Sequence, residues 1–299
     1  MQILDKLTFK DNIALAIGFF DGVHFAHKKV ISECVNYAKE HNLKSAVLTF
    51  KEHPCVSIWN VPPQYIISSE LRQKKIADLG VDYLYFLDFN SEISSQTSEQ
   101  FIELLSKTIK PKAIFTGFNF FFGCQKSGNT KTLKDFSKVK NYKYIEISEQ
   151  KIDNITVSST NIRNFIKEGN FFDANKLLDY DFFIEETVIE GNKIGRTIGF
   201  PTANLNYPKN IIEPLKGVYS AIVELNSKQY KGIMNFGYKP TISDNLNPIC
   251  EVHILDFCED IYSKKIKVYP QKFIRAEKKF DSLDILKNQI LDDISSINL

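Results

Sequence analysis

The 299-residue sequence contains no apolar run approaching the roughly 18 residues that span a bilayer, and its opening MQILDKLTFKDN holds no apolar core of a secretory leader. Neither a membrane partner nor export is expected, and the chain reads as cytoplasmic. Cysteine is sparse and scattered. Cys34, Cys55, Cys124, Cys250 and Cys258 never form CxxC, which argues against a disulfide framework or a zinc knuckle and leaves buried free thiols as the simpler expectation. An excess of one charge is missing too: 38 basic residues oppose 36 acidic ones, so no broad positive field is available to hold a phosphodiester backbone, and nucleic acid is not an expected partner. Internal repeats and low-complexity tracts are lacking.

What is present is ordinary globular material. Hydrophobic residues make up 43% and charged residues 25%, enough for real cores, and the length suits two domains of the usual size. The first half alternates short apolar runs (13–17, 46–50, 83–89, 113–115, 142–147) with helical periodicity, as in Val30, Cys34, Val35 and Ala38 or in residues 69–79 before Gly80. Thr97 and Gln100 have capping-box spacing. About five strands with intervening helices predict an open, doubly wound parallel sheet, which binds ligands beyond the carboxyl ends of its strands.

Two short helical stretches, 160–167 and 172–178, precede a change of texture near residues 180–183. Beyond it, runs at 183–189, 218–225, 229–234, 251–257 and 265–269 separated by Gly, Pro and Asn predict a small antiparallel barrel. Leu283, Leu286, Ile290 and Ile294 mark one face of a closing helix that Asp281 or Ser282 can cap. The expected domains are 1–180 and 181–299.

The segment from Ile17 to His27, IGFFDGVHFAH, leaves the first strand and opens the first helix. Helix-end amides and close-approaching glycines favour an anion there, and His24 and His27 project from one turn. An HxxH pair seen alone also fits a half-exposed surface pair, and less well two metal ligands, since only Asp21 and the distant His41 and His53 are obvious further ligands. Further along stand Thr49 to Pro54 (TFKEHP), Thr116 to Gly123 (TGFNFFFG), and Val157 to Arg163 (VSSTNIR), in which Ser159 and Thr160 can cap a helix while Arg163 offers a bidentate phosphate donor. In the second half, Gly191 to Asn204 (GNKIGRTIGFPTAN) packs three glycines, a proline and small oxygen donors together, without the spacing of a Walker A loop. Asn235 to Thr241 (NFGYKPT), Glu251 to Phe257 (EVHILDF) and Arg275 to Phe280 (RAEKKF) come after it.

Taken in order, these segments resemble the GxFDGVHxGH, TFxPHP, G-x-D/N-F-x-F-G, ISSTxIR and GRxxGFPTAN strings of the bacterial bifunctional riboflavin kinase/FMN adenylyltransferase family, with Ala26, Glu52 and Ser263 standing where the family has Gly, Pro and Gly. The resemblance covers nearly the whole chain. It implies a nucleotidylyltransferase domain of Rossmann-like fold followed by a riboflavin kinase barrel. The expected activities are phosphorylation of riboflavin to FMN and adenylyl transfer from ATP to FMN, giving FAD and pyrophosphate, with Mg²⁺ accompanying ATP.

By the same resemblance His24, His27 and Arg163 serve adenylyl transfer, with Gly18, Phe20, Asp21, Ser159 and Thr160 around ATP and its phosphates. Gly195, Arg196, Gly199 and Pro201 would hold ATP in the barrel. Thr202 and Asn204 would touch the metal, Glu251 would take the proton from the riboflavin hydroxyl, and Asn119 and Arg275 would contact flavin. Two other readings stay open: a riboflavin kinase whose first domain is impaired by Ala26 and Glu52, and a flavin-binding protein without turnover.

Overall fold

The computed structural model describes residues 1–54, 56, 62–191, 194–238 and 248–297. Cys55, Asn192, Lys193 and the Lys239, Pro240 and Thr241 end of the NFGYKPT segment therefore lie outside the described residues. The chain divides into two compact units, Met1–Ser159 and Thr160–Leu299.

The first unit is built on a six-stranded parallel sheet of β1 (Gln2–Leu4), β2 (Ile13–Ile17), β3 (Lys44–Phe50), β4 (Tyr83–Leu87), β5 (Ala113–Gly117) and β8 (Lys143–Ile147), in the order β1-β4-β3-β2-β5-β8. All five residues of β2, IALAI, are buried, as a strand covered on both faces requires. Helix α1 (Phe25–Glu40) lays Val30, Ile31, Cys34, Val35 and Ala38 inward. The other helices are α2 (Ser69–Asp78), α3 (Ser91–Ser94), α4 (Ser98–Thr108) and α5 (Thr130–Lys140).

Ser68 caps α2, and Thr97 with Gln100 forms the capping box that their spacing predicts. The short pairs β6 (Phe121–Phe122) with β7 (Gly128–Asn129), and β9 (Lys151–Ile152) with β10 (Ile155–Thr156), are hairpins beside the sheet. The sheet has one strand more than the sequence suggests, because β1 is a three-residue, mostly exposed edge strand with no apolar signature.

In this order the sequence runs outward from β2 in one direction and from β5 in the other, so β2 and β5 flank the topological switch point. Their register, Ala16 opposite Phe115, brings the segment after Ile17 and the turn after Gly117 to the same edge.

Helices α6 (Ser159–Lys167) and α7 (Phe171–Leu178) lead into the barrel, formed by β11 (Ile184–Thr187), β12 (Ala203–Asn206), β13 (Gly217–Leu225), β14 (Lys228–Tyr238), β15 (Pro248–Ile254) and β16 (Lys265–Arg275). The order is β11-β16-β13-β14-β15-β12, and a bridge from Ile189 to Asn204 nearly closes it. Tyr219, Met234, Phe236, Cys250 and Val252 fill the interior, so no site is available inside. The remaining helices are the four-residue α8 (Ile194–Thr197) and α9 (Leu283–Ser295), the latter capped by Ser282.

Two strands of the barrel differ from the sequence reading. Strand β12 hides inside a segment that reads as loop, because its Pro, Thr and Asn neighbours mask four strand residues. The 251–257 run begins at Pro248 instead and ends at Ile254, where Asp256 turns the chain at φ 53°. Cys34 and Cys250 are buried free thiols, and loss of solvation pushes Cys34 up to about 12. Cys124 and Cys258, by contrast, are exposed: both fall in connections between strands, which run over the surface.

Candidate active sites

In the first unit the chain leaves β2 into a strained turn. Phe20 has φ 57°, Gly22 79° and Val23 40°, an unusual run for which Gly22 is the only residue without a steric cost. The turn delivers His24 as the N-cap of α1, with His24 Nδ1 accepting from the His27 amide at 3.3 Å. The imidazoles of His24 and His27 stack with centroids 3.5 Å apart, and the Phe20 ring meets His27 edge-on. His24 is buried, as is Asp21. An added Cβ on Gly18 would run into the Phe20 ring.

Both carboxylate oxygens of Asp21 accept from the Ile66 amide, at 3.0 and 3.2 Å, and so brace the turn. Ser159 Oγ donates to the Asp21 carbonyl at 3.1 Å, which sets the start of α6 against this turn. Thr160 comes next on the exposed side, and Arg163 lies one helical turn after Ser159 and is half-buried. Asn119 sits at the exposed tip of the turn after β5, between the exposed rings of Phe118 and Phe121.

One residue that no motif flags is central here. Arg72, on α2, is 3% exposed and donates to Phe19 O at 3.0 Å, Phe50 O at 2.8 Å and Lys51 O at 3.1 Å. Thr49 Oγ1 also donates to Phe19 O, at 2.9 Å. The Arg72 guanidinium lies 4.2 Å from the Phe19 ring centroid. Burial pulls its pKa down to about 10, against the attraction of Asp21 and Tyr65, so it stays charged at neutral pH. The clue in the sequence was its i, i+4 spacing from Ile76, which puts an arginine on the buried stripe of α2.

The second unit carries a cavity of about 340 Å³ on the outer face of the barrel, within the range of small-molecule sites. Strand register explains its chemistry. Asn204 pairs with Glu251, Glu251 with Asn235, Asn235 with Val218, and Val218 with Arg275, one transverse row across five strands. Directly paired residues share a face. Glu251, Asn235, Val218 and Arg275 of that row line the cavity together with Thr202, Ile233, His253 and Glu277. Leu286 and Ile290 of α9 form the apolar wall opposite.

The 194–202 loop closes one end. Phe200 N donates to Gly195 O at 2.7 Å, and a Cβ on Gly195 would overlap the Phe200 carbonyl, so the loop folds back on itself only around glycine. His253 anchors it by donating Nδ1–H to Pro201 O at 2.8 Å, a tautomer that the carbonyl acceptor dictates. Gly195 and Thr202 line the cavity. Arg196, Gly199 and Pro201 belong to the same loop but are exposed and lie outside the lining. Asn204 is buried beneath, its amide nitrogen 3.5 Å from Thr202 Oγ1.

Arg275 is already engaged. It forks onto the buried carboxylate of Asp293, Nε to Oδ1 at 2.9 Å and Nη2 to Oδ2 at 2.8 Å, tying β16 to α9. The sequence reading missed Asp293, His253, Asn235 and Glu277, because only register and the seating of α9 bring them to the cavity. Asn235 Nδ2 donates to Glu277 Oε1 at 3.2 Å, while its buried Oδ1 has no hydrogen-bond partner among the described residues. For a divalent ion, the Thr202 hydroxyl and the Asn204 amide oxygen are hard donors of the right kind. Among the described residues no cluster of three or more His, Cys, Asp or Glu is placed to hold a metal ion.

The family model described as FAD synthetase matches residues 6–161, and that described as riboflavin kinase matches residues 178–298. A bifunctional riboflavin kinase/FMN adenylyltransferase from Listeria monocytogenes is 34% identical over 94% of this chain and 90% of that protein. The protein of the same description from Buchnera aphidicola subsp. Schizaphis graminum is 37% identical over 96% and 93%. A solved structure described as a macrolide-efflux protein from Streptococcus pneumoniae superposes with a TM-score of 0.86 at 32% identity, covering 98% of this chain and 97% of that one. Among the described residues no helix is long and apolar enough to cross a membrane.

Proposed function

We propose a division of labour for a chain that belongs to the family of bifunctional riboflavin kinase/FMN adenylyltransferases: the barrel phosphorylates riboflavin to FMN, and the parallel-sheet unit transfers the adenylyl group of ATP to FMN. The observation that carries the reading is the transverse row of Asn204, Glu251 and Asn235 beside Thr202, which sets a carboxylate, a hydroxyl and two amides at one cavity with an apolar wall.

In the barrel, the apolar wall from α9 takes the flavin ring system and the polar row takes the ribityl chain. Glu251 accepts the proton of the 5′-hydroxyl as its oxygen attacks the γ-phosphorus and ADP leaves. Thr202 and Asn204 would hold a Mg²⁺ ion brought by ATP, which would supply charge neutralisation at the phosphates. The Gly195 to Thr202 loop covers the nucleotide.

In the first unit, a phosphate oxygen of FMN attacks the α-phosphorus of ATP in line and pyrophosphate departs. No nucleophilic side chain is needed: His24, His27 and the amino end of α1 orient the anions and balance charge growing on the leaving group. The turn carrying Asn119 holds FMN. The adenylyl-transfer domain is assigned to residues 1–180 and the kinase domain to 181–299. The partners are then riboflavin, FMN and ATP, without nucleic acid or membrane, in the cytoplasm.

Purified protein supplied with riboflavin, ATP and Mg²⁺, with products resolved by chromatography, tests this directly. FMN appearing first and FAD second is the expected result. FMN that never advances would overturn the first-unit assignment, and bound but unchanged riboflavin would overturn both.

A further inference from the structure

We propose that Arg72 is a positioning residue of adenylyl transfer, a buried guanidinium that fixes the loop carrying His24 and His27 against the Thr49 to His53 segment. The inference rests on the reading of the first unit as an adenylyltransferase, but no sequence motif contains this residue.

A buried arginine is uncommon, and this one supplies the donors for three main-chain carbonyls at the edge of the sheet. Arg72 is also held in an unusual way. Its hydrogen bonds go to three main-chain carbonyls at the carboxyl ends of two adjacent strands: Phe19 beyond β2, and Phe50 and Lys51 at the end of β3. Aromatic rings complete the cage, with Phe19 at 4.2 Å and Phe86 at 5.4 Å from the guanidinium carbon.

The position matters because the strained turn begins immediately beyond Phe19. Phe20, Gly22 and Val23 all adopt positive φ, and such a turn persists only where its surroundings over-determine it. Arg72 and Thr49 both grip the carbonyl immediately before that strained run. At the other end, the Asp21 carboxylate holds the Ile66 amide, three residues before α2 itself begins. The imidazole pair is therefore suspended between two fastenings to the same stretch of chain. Lysine offers a single nitrogen that does not reproduce a planar fork spanning two strands. Charge alone is thus insufficient, and the geometry of the guanidinium is the working feature.

The test compares full-length Arg72→Met, Arg72→Lys and Phe86→Leu with the wild type, measuring FMN adenylylation and riboflavin phosphorylation on the same preparations. Both Arg72 variants should lose roughly 10- to 100-fold in kcat/KM for FAD formation, chiefly in kcat, as small misplacements of catalytic groups do. Riboflavin phosphorylation should stay within about twofold of wild type. Arg72→Lys should recover melting temperature relative to Arg72→Met without recovering kcat, which a merely structural role would not produce. If Arg72→Met does not fold, the same selective loss is expected of Arg72→Lys, and a smaller one of Phe86→Leu. Adenylylation within twofold of wild type, a loss that vanishes when rates are scaled to the folded fraction, or equal loss of both activities would overturn the proposal. A wild-type protein that makes no FAD at all would defeat the underlying reading instead.

Discussion

At the scale of single residues, Glu251 gives the sharpest expectation. It stands in register between Asn204 and Asn235 at the cavity, the place expected of the carboxylate that takes a proton from an attacking hydroxyl. Glu251→Gln keeps the shape and removes the base, so FMN formation should fall by roughly 100-fold or more in kcat with little change in melting temperature. Stopped assays of riboflavin phosphorylation beside a thermal melt check this, and a variant retaining most of its kcat would show that another group accepts the proton. Glu251, His24, His27 and Thr202 were legible in the sequence because they sit in dense local strings. Arg72 and Asp293 were not: each stands alone among ordinary neighbours, and only a tertiary contact gives it a place.

Among elements, the hold of α9 on the barrel decides the kinase cavity. Asp293 is buried against Arg275 and also accepts from Gln289 at 3.0 Å, so Asp293→Asn leaves a guanidinium poorly paired where solvent hardly reaches. A loss of about 2 kcal/mol in stability is expected, below the range for fully buried pairs because Arg275 is partly exposed. The KM for riboflavin should rise with it, since α9 supplies the apolar wall. An unchanged KM in a folded variant would place the flavin elsewhere.

In the first unit, the amino ends of β3 and β4 are joined by Asp82, which accepts from the Ser45 amide and hydroxyl at 2.9 Å each and from Lys44 at 3.1 Å. Loss of solvation raises the Asp82 pKa, but these donors outweigh it and the net shift is downward. The stability it supplies is therefore fully present above the ordinary aspartate value near about 3.9, and lost as pH falls through the lower folded value. Asp82→Asn should melt earlier than wild type at pH 7, with the difference shrinking below pH ~4. A difference that grew on acidification would reverse the assigned sign. The helix caps at Thr97 and Ser282 and the fully buried β2 were readable from spacing and apolar runs. Strands β1 and β12 escaped, because three or four residues carry too little periodicity to register.

Over the whole molecule, the order of motifs along the chain announced two architectures, and the structure has them: a parallel sheet whose strand order reverses between β2 and β5, and a nearly closed antiparallel barrel. Packing and chemistry divide the chain at different places. The compact units part at Ser159, whereas the 157–163 segment continues through that point into α6. The change of texture near residue 180 puts that helix in the first domain, 1–180, since local patterning follows composition and carries no long-range contact information. The outer-face location of the kinase cavity was equally invisible, arising as it does from an interior filled by Tyr219, Met234 and Phe236.

The central claim is that two independent sites on one chain perform two different phosphorus chemistries. The most direct measurement assays Glu251→Gln and His27→Ala separately for riboflavin to FMN and for FMN to FAD. Glu251→Gln should lose the first conversion and keep the second near wild type, while His27→Ala does the reverse. Parallel loss of both conversions in either folded variant would contradict the account.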